Sequence, residues 1–248
     1  MLTYGSSVCA QAKQALNLRL DMGIASFRED LLVPLAFSGP GIHLGVSYEL
    51  RGSQHGFQAD LSLGAAYAWN RFEHAALGLN HELGLGYIHL LDRGESCAWW
   101  LGAELRDETH LHFIESWDDA HGYWLASWSL GPIVEHERKL WSSGWLETRT
   151  ELGLVGLMSR PPAYRLNKQD ALTHIDYHFN RSFASPEWFS PLDVQLVRLS
   201  ALLRFRKGNQ HQGKGFGLGL EFQFARAKEP QPAASMYSGA RLAYGWGL

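Results

Sequence analysis

Hydrophobic and polar residues alternate along most of this chain, in the pattern of β-strands. In the segment 145–157, Leu146 and Leu152 fall on one face of an extended chain, whereas Glu147 and Arg149 fall on the other. The same period recurs along the chain, and no segment shows convincing helical periodicity. The pattern predicts about ten strands, at 16–24, 42–50, 59–70, 77–87, 99–106, 124–135, 145–157, 197–205, 216–224 and 240–248.

The connections between these strands alternate in length. Short polar joins that contain Gly are predicted at 52–56, 92–96, 137–144 and 207–215, and longer joins at 27–40, 107–122, 158–191 and 228–238. The join 70–75 is short where the alternation calls for a long one. The pattern therefore predicts tight turns at one end of the assembly and long loops at the other. His81 falls on the apolar face of its strand, which predicts either a β-bulge or a register error there.

Length and charge narrow the class of protein. The chain has 248 residues and a formal net charge of −3. It therefore lacks the excess of positive charge that favours nucleic acid as a partner. No apolar run is long enough for a membrane-spanning helix. Small residues at Ala10 and Ala12 match a signal-peptidase site, so residues 1–12 are either a residual signal peptide or a plain N-terminal tail. Residues 13–248 are predicted to form one β-barrel domain.

The two faces of the predicted strands differ in a way that indicates a membrane. One face carries large apolar residues, with aromatic rings near strand ends, as at Tyr67, Trp69 and Tyr244. The other carries Gly, Ala and charges of both signs. In a soluble sandwich, the alternative, the apolar face would point inward. Strands of this length are typical of bilayer-crossing strands. We therefore predict an all-β, closed antiparallel transmembrane barrel, with its apolar face toward lipid, short periplasmic turns and long extracellular loops.

In this pattern the chain resembles bacterial outer-membrane β-barrel proteins over roughly 16–248. The last strand, GARLAYGWGL, is similar to the C-terminal insertion signal of that class, although it ends in Leu248 where the class normally has Phe or Trp. Abundant Gly with Trp and Tyr also resembles outer-membrane proteins of Bacteroidota, without pointing to a named family. The resemblance implies a bacterial outer-membrane location. Outer-membrane lipid or lipopolysaccharide and other envelope proteins are the expected partners.

The charged face of the strands predicts a network inside the barrel. About ten strands leave a narrow interior, which ion pairs would largely cross and plug. The alternative is a narrow selective pore lined by Arg and Glu rings. The predicted lumen charge network consists of Arg19, Asp21, Glu49, Arg51, Asp60, Glu82, Glu104, Arg106, Glu147, Arg149, Glu151, Arg198, Arg204, Glu221 and Arg241, and His43 and Glu135 share its face.

The segment 158–191 is far longer than a typical connection, and such loops are functional or disordered. Its aromatic content argues against pure disorder. Two interpretations stay open: a cap that binds a ligand or an envelope partner, and a lid that packs over the barrel mouth. The residue types that anchor interfaces are Arg160, Tyr164, Arg165, Tyr177, Trp188 and Phe189.

Weak catalytic candidates lie in the same predicted loops. Asp176 and His178 form an Asp-x-His unit, and Asp118 and Asp119 lie in another long loop. Ten-stranded outer-membrane proteases of the omptin type resemble this, since they pair an Asp-His unit with two acidic residues that activate water. Here the acidic residues are adjacent, whereas the omptin pair is separated by one residue. A barrel-mouth hydrolase or lipid-modifying enzyme is therefore an alternative to a non-enzymatic barrel.

Histidines are numerous but do not predict a metal site. His110 and His112 share one strand face, and His121 and His174 lie in neighbouring long joins. No spacing fixes the third ligand that zinc would need. No sequence motif predicts a cofactor.

Overall fold

The computed structural model describes residues 13–29, 33–115, 120–159, 187–190, 192–206, 215–227 and 233–247. Within these residues the regular elements are all β-strands, and there is no helix that is long and apolar enough to cross a membrane. The strands are β1 (Lys13–Glu29), β2 (Val33–Arg51), β3 (His55–Trp69), β4 (Ala75–Arg93), β5 (Cys97–Glu115), β6 (Ala120–Lys139), β7 (Gly144–Gly153), β8 (Val155–Ser159), β9 (Glu187–Phe189), β10 (Val194–Arg206), β11 (Gly215–Ala227) and β12 (Ala233–Gly247).

The strands form one closed antiparallel sheet. Each strand from β1 to β6 pairs with the next, and β1 also pairs with β12. From β12 the sheet continues through β11, β10 and β7 back to β6. The segments β7 and β8 are halves of one barrel strand interrupted at Leu154, because both pair with β6, and β9 with β10 forms its neighbour. The result is a ten-stranded barrel, which confirms the predicted fold class.

The strands are tilted relative to the barrel axis. When paired residues are followed once around the sheet, starting at Lys13 on β1, the path returns to β1 at Ala25. This stagger is the shear that closure of a tilted sheet requires. The long connection 160–186 lies at one end of the barrel, and both described ends of the chain, at β1 and β12, lie at the other end, together with the short connections 52–54, 94–96 and 140–143. We call this the periplasmic end, and the opposite one the outer end.

The strands are longer than the sequence pattern predicts. Phe27, Phe37 and Tyr237 fall in predicted long joins, but they lie on β1, β2 and β12. Their side chains point into the barrel and are buried. The alternation of inward and outward residues therefore continues through these segments, although small residues and Pro make it hard to recognise in the sequence. The predicted loops at 27–40, 107–122 and 228–238 are therefore largely barrel wall.

The bulge or register error predicted at His81 is wrong. His81 pairs in unbroken register with Leu63 on one side and Thr109 on the other. The irregularity in β4 lies instead between Leu90 and Asp92. His81 stays on the outward face, where its Nε2 lies 3.3 Å from Asp107 Oδ2, so a polar partner satisfies it without a change of register.

The exterior of the barrel is apolar and its interior is polar. Leu44, Leu63 and Leu85 each expose more than half of their surface, whereas Asp21 and Glu82 on the alternate faces are almost fully buried. A soluble fold would bury the first group and expose the second. The arrangement suits an exterior that contacts acyl chains, because only there does an apolar surface need no cover.

Aromatic rings mark the two edges of the apolar exterior. On β3, Phe57 lies near the periplasmic end and Tyr67 near the outer end, and their separation along the strand suits one bilayer crossing. Phe57 packs edge-on against Tyr87 at 5.1 Å between ring centroids, and Tyr67 lies 6.3 Å from Trp69. These are the two interfacial girdles of outer-membrane barrels.

We expect Leu63→Arg to destabilise the barrel by about 2–4 kcal/mol, because it places a charge near the middle of the lipid-facing wall. Leu101→Arg lies nearer the periplasmic girdle and should cost about 0–1 kcal/mol. Guanidinium unfolding from lipid vesicles measures both changes. Equal tolerance of both substitutions would mean that this face contacts water, since exposed Leu is readily replaced in soluble proteins.

Candidate functional site in the barrel lumen

Every residue of the predicted lumen charge network lies on the inward face of its strand. The interior is layered along the barrel axis. An ionic layer fills the middle, a layer of His and Tyr side chains lies above it toward the outer end, and apolar clusters lie near both ends. Each layer follows from the alternation, because the inward positions of neighbouring strands meet at the same height.

The middle layer is one continuous network, which we call the central ionic cluster. Its members are Arg19, Asp21, Asp60, Glu82, Glu104, Arg106, Arg149, Glu151, Arg198, Glu221 and Arg241. Arg106 joins Glu104 at 2.8 Å and Glu82 at 3.3 Å, and it also contacts Glu151. Burial of so many charges is tolerated only because each has an opposite charge beside it.

The cluster crosses the lumen from wall to wall. Around the ring, β3 and β10 are opposite strands, yet Arg198 Nη1 on β10 lies 3.9 Å from Asp60 Oδ1 on β3. The same nitrogen lies 2.7 Å from Glu82 Oε2 on β4. Arg149 on β7 donates a 2.6 Å hydrogen bond to Gln58 on β3. Side chains from opposite walls therefore meet in the middle of the barrel and occlude it.

A second set of ion pairs lies closer to the periplasmic end. Arg51 on β2 reaches across to Glu135 on β6 at 2.6 Å, and its guanidinium lies 5.1 Å from the centre of the Trp100 ring. Arg204 pairs with Glu147 at 3.0 Å and donates to Asn17 at 2.7 Å. These contacts narrow the periplasmic half of the lumen.

A cavity of about 110 Å³ remains between the central ionic cluster and these periplasmic pairs. Its walls include Arg19, Arg51, Asp60, Glu135 and Arg204, so both signs of charge line it. This volume is large enough for several ordered waters that bridge the charges. It is too small for the drug-sized ligands that occupy pockets of about 300–1,000 Å³.

Glycine allows the charges to approach one another. A Cβ atom at Gly84 would overlap the carboxylates of both Glu104 and Asp60, and one at Gly45 would overlap the Arg19 side chain. The inward Gly residues noted in the sequence therefore provide the space that the arginines and carboxylates fill.

Histidines and apolar side chains close the outer half of the lumen. The His43 ring stacks on Tyr237 at 4.0 Å, and the His112 ring stacks on Phe27 at 3.9 Å. His110 contacts Glu108. Above them lie two buried clusters, the first made by Phe27, Phe37, Ala68 and Ala76, the second by Leu125, Met158, Phe189, Val194, Leu196, Ala225, Ala227 and Ala233. The periplasmic end has its own cluster of Ile88, Ala98, Trp100 and Ile133.

The structure describes only two of the predicted binding and catalytic residues, Trp188 and Phe189. Trp188 lies on β9 and points outward with 76% of its surface exposed, whereas Phe189 points into the lumen and is buried. The other predicted positions lie outside the described residues: Asp118, Asp119, Arg160, Tyr164, Arg165, His174, Asp176, Tyr177 and His178. Among the described residues, no group of three or more His, Cys, Asp and Glu side chains is arranged to hold a metal ion.

Several lumen residues were missed by the sequence analysis. Asn17 shares the inward face of β1 with Arg19, so the alternation could have identified it. Gln58 lies one position before the predicted start of its strand, and Tyr237 lies in a predicted loop. Both could have been found only by extending the alternation beyond the region where it is clear.

Comparison with known proteins gives only distant structural similarities. No family model matches the chain, and no curated protein does. Solved structures with similar folds include neisserial surface protein A (11% identity, TM-score 0.37, covering 92% of this chain and 97% of that one) and the translocator domain of the autotransporter NalP from Neisseria meningitidis (11%, 0.45, 97% and 90%). Another is a mutant of the monoaromatic hydrocarbon channel TodX (7%, 0.35, 96% and 91%).

This chain is a transmembrane β-barrel of the outer-membrane type. The assignment rests on its closed sheet, apolar exterior and charged interior, because similarities this low carry no argument about relatives. It agrees with the class and the location predicted from the sequence. The structure thus gives a membrane barrel whose lumen is filled by its own side chains.

We expect Arg241→Met to cost about 3–5 kcal/mol of folding free energy, because it leaves the buried Asp21 carboxylate without its partner. Arg241 donates to Asp21 through two nitrogens, at 2.7 and 3.0 Å. Asp21→Asn should also destabilise the barrel. The double variant should cost less than the sum of the single variants by about 0.5–3 kcal/mol, measured as a coupling energy in guanidinium unfolding. Strict additivity would contradict a direct interaction in the folded barrel.

Proposed function

We propose that this chain is a non-conducting outer-membrane barrel with a structural or binding role, and that its outer segment 158–191 contacts a surface ligand or another envelope protein. The occlusion of the lumen supports this proposal most strongly. Arg198, Arg149 and Arg51 each reach carboxylates or amides on the far wall, so an ion could pass only after several buried pairs had separated. Apolar clusters at both ends add a barrier to water and ions.

The binding role is proposed from the outer end of the barrel. Trp188 and Leu192 each expose 76% of their surface beside the outer rim, where aromatic and apolar side chains can contact lipid or a partner. Phe189 anchors the same segment by inserting into the lumen. This geometry suits a segment that is fixed to the barrel on one side and presented outward on the other. Lipopolysaccharide and envelope proteins are the two partner classes, and a Bacteroidota source remains a prediction.

A narrow channel is the second candidate function. The cavity of about 110 Å³ lined by Arg and Glu side chains favours it, because rings of charge are how selective pores choose ions. A barrel-mouth hydrolase or lipid-modifying enzyme is a third possibility from the sequence. For that enzyme, alanine at Asp118, Asp176 and His178 should abolish a measurable activity.

We expect the purified barrel to give no discrete single-channel conductance in planar bilayers, because its ion-pair network crosses the lumen. An open porin reconstituted in the same bilayers is the positive control, and folding is confirmed by the changed gel migration of unheated barrels. Steady, discrete openings of the wild-type chain would contradict a sealed lumen and favour the channel.

Replacement of residues 163–184 by a short Gly-Ser linker should leave the barrel folded but abolish partner recovery. The wild-type chain and the linker variant would be cross-linked in intact outer membranes and purified in detergent. Bound lipopolysaccharide is then measured, and proteins that co-purify are identified. The matched control is Trp141→Ala, which removes an exposed aromatic ring at the periplasmic end. Equal recovery of the same partner with the linker variant would contradict a binding role for this segment.

A further inference from the structure

Outside the lumen, the described surface carries a pair of histidines at the periplasmic end of β3 and β4. His55 and His89 are directly paired across the two strands, and both side chains point outward and are exposed. Their Nδ1 atoms lie 3.3 Å apart. The Tyr87 hydroxyl lies 2.6 Å from the same His55 Nδ1. Three polar atoms therefore converge on one small region of the rim.

The two contacts of His55 Nδ1 cannot both be good hydrogen bonds. A neutral imidazole nitrogen offers either one lone pair or one N–H group. His55 Nδ1 has two close polar neighbours, one from Tyr87 and one from His89. One hydrogen bond can be well formed there, and the second contact must share the same lone pair or proton. A cation between the two imidazoles would use both lone pairs.

The distance between the nitrogens matches metal coordination. Zinc–imidazole bonds are about 2.0–2.1 Å long, so two ligands on the edge of a tetrahedron are about 3.3–3.4 Å apart. The observed 3.3 Å between the Nδ1 atoms is this spacing. We propose that His55 and His89 form a binding site for a divalent transition-metal ion that prefers imidazole, and the observed spacing fits tetrahedral Zn²⁺ best.

The backbone holds the two histidines in place. His55 accepts a 2.7 Å hydrogen bond from Gly52 through its carbonyl, which closes the turn before β3. Leu90, next to His89, donates a 2.8 Å hydrogen bond to the Gln54 carbonyl. Both imidazoles thus extend from paired strands beside a closed turn, so little order has to be imposed when a metal binds.

Solvent completes the coordination. Two protein ligands leave open positions that water fills. The Tyr87 hydroxyl, which lies 2.6 Å from His55 Nδ1, must give up its contact with that nitrogen when the metal binds. A site of this kind is weaker than a structural zinc site with four protein ligands, and it suits exchangeable metal at the periplasmic rim. The proposal is independent of whether the lumen conducts or the outer segment binds a partner.

The test is Cu²⁺ binding to the folded, detergent-solubilised chain without a polyhistidine tag. Copper is the probe because it binds nitrogen ligands more tightly than the other divalent ions. The chain contains 12 histidines, so the informative quantity is the difference between variants. His55→Ala and His89→Ala should each weaken the tightest site by about tenfold or more, since the second imidazole acts as an intramolecular ligand. Isothermal titration gives the affinity, and electron paramagnetic resonance should show loss of one coordinated nitrogen.

His136→Ala is the matched control. His136 is also on the outward face near the periplasmic end, but its ring stacks on Trp99 at 4.2 Å. This variant should keep the wild-type affinity and spectrum. His55→Gln serves as a second variant if His55→Ala does not fold, because it keeps a polar side chain at the same position. Wild-type copper binding by folded His55 and His89 variants, or an equal loss in His136→Ala, would overturn the proposal.

Discussion

The pairing of every strand edge is the constraint on which this structure depends. Inside a bilayer no water is available to satisfy a free backbone N–H or C=O group, so a sheet can cross only when it closes on itself. Here the first and last strands complete the ring, with Ala15 paired to Gly247 at one end of the contact and Glu29 to Ala233 at the other. Once the ring is closed, each strand has one face toward lipid and one toward the lumen.

The chemistry of the two faces follows from closure. The outward face can be apolar without cost because acyl chains surround it, and the inward face of a narrow barrel has room only for side chains that pack against each other. This chain fills that room with arginines and carboxylates, which must then pair because they are removed from bulk water. Gly84 and Gly45 reflect the same lack of room, because charged side chains occupy the space that a Cβ atom at either position would fill. An occluded lumen is therefore part of how the barrel is stabilised.

The alternation made the fold and the inward face predictable. Charges such as Glu82 and Arg149 could be assigned to the lumen because they alternate with apolar residues, which places the charges on the opposite face of the strand. The ends of the strands could not be predicted, because segments around Phe37 and Tyr237 mix Ser, Pro and Ala with few bulky residues. The reason for an outward-facing His81 could not be predicted either, because its polar partner Asp107 lies on another strand. The contact between His55 and His89 could not be predicted from the sequence either, because only the register between β3 and β4 brings these residues together.

Whether the apolar face contacts lipid can be measured through the accessibility of nitroxide labels, attached one at a time along β3 from Phe57 to Trp69 in lipid vesicles. Oxygen, which is enriched in the bilayer, and a water-soluble nickel complex report on lipid and water contact respectively. A closed barrel with a lipid-facing exterior predicts a period of two, with high oxygen accessibility at Leu61, Leu63 and Ala65 and low accessibility to both reagents at the alternate positions. High accessibility to the nickel complex at Leu61 and Leu63 would contradict it, because those side chains would then face water.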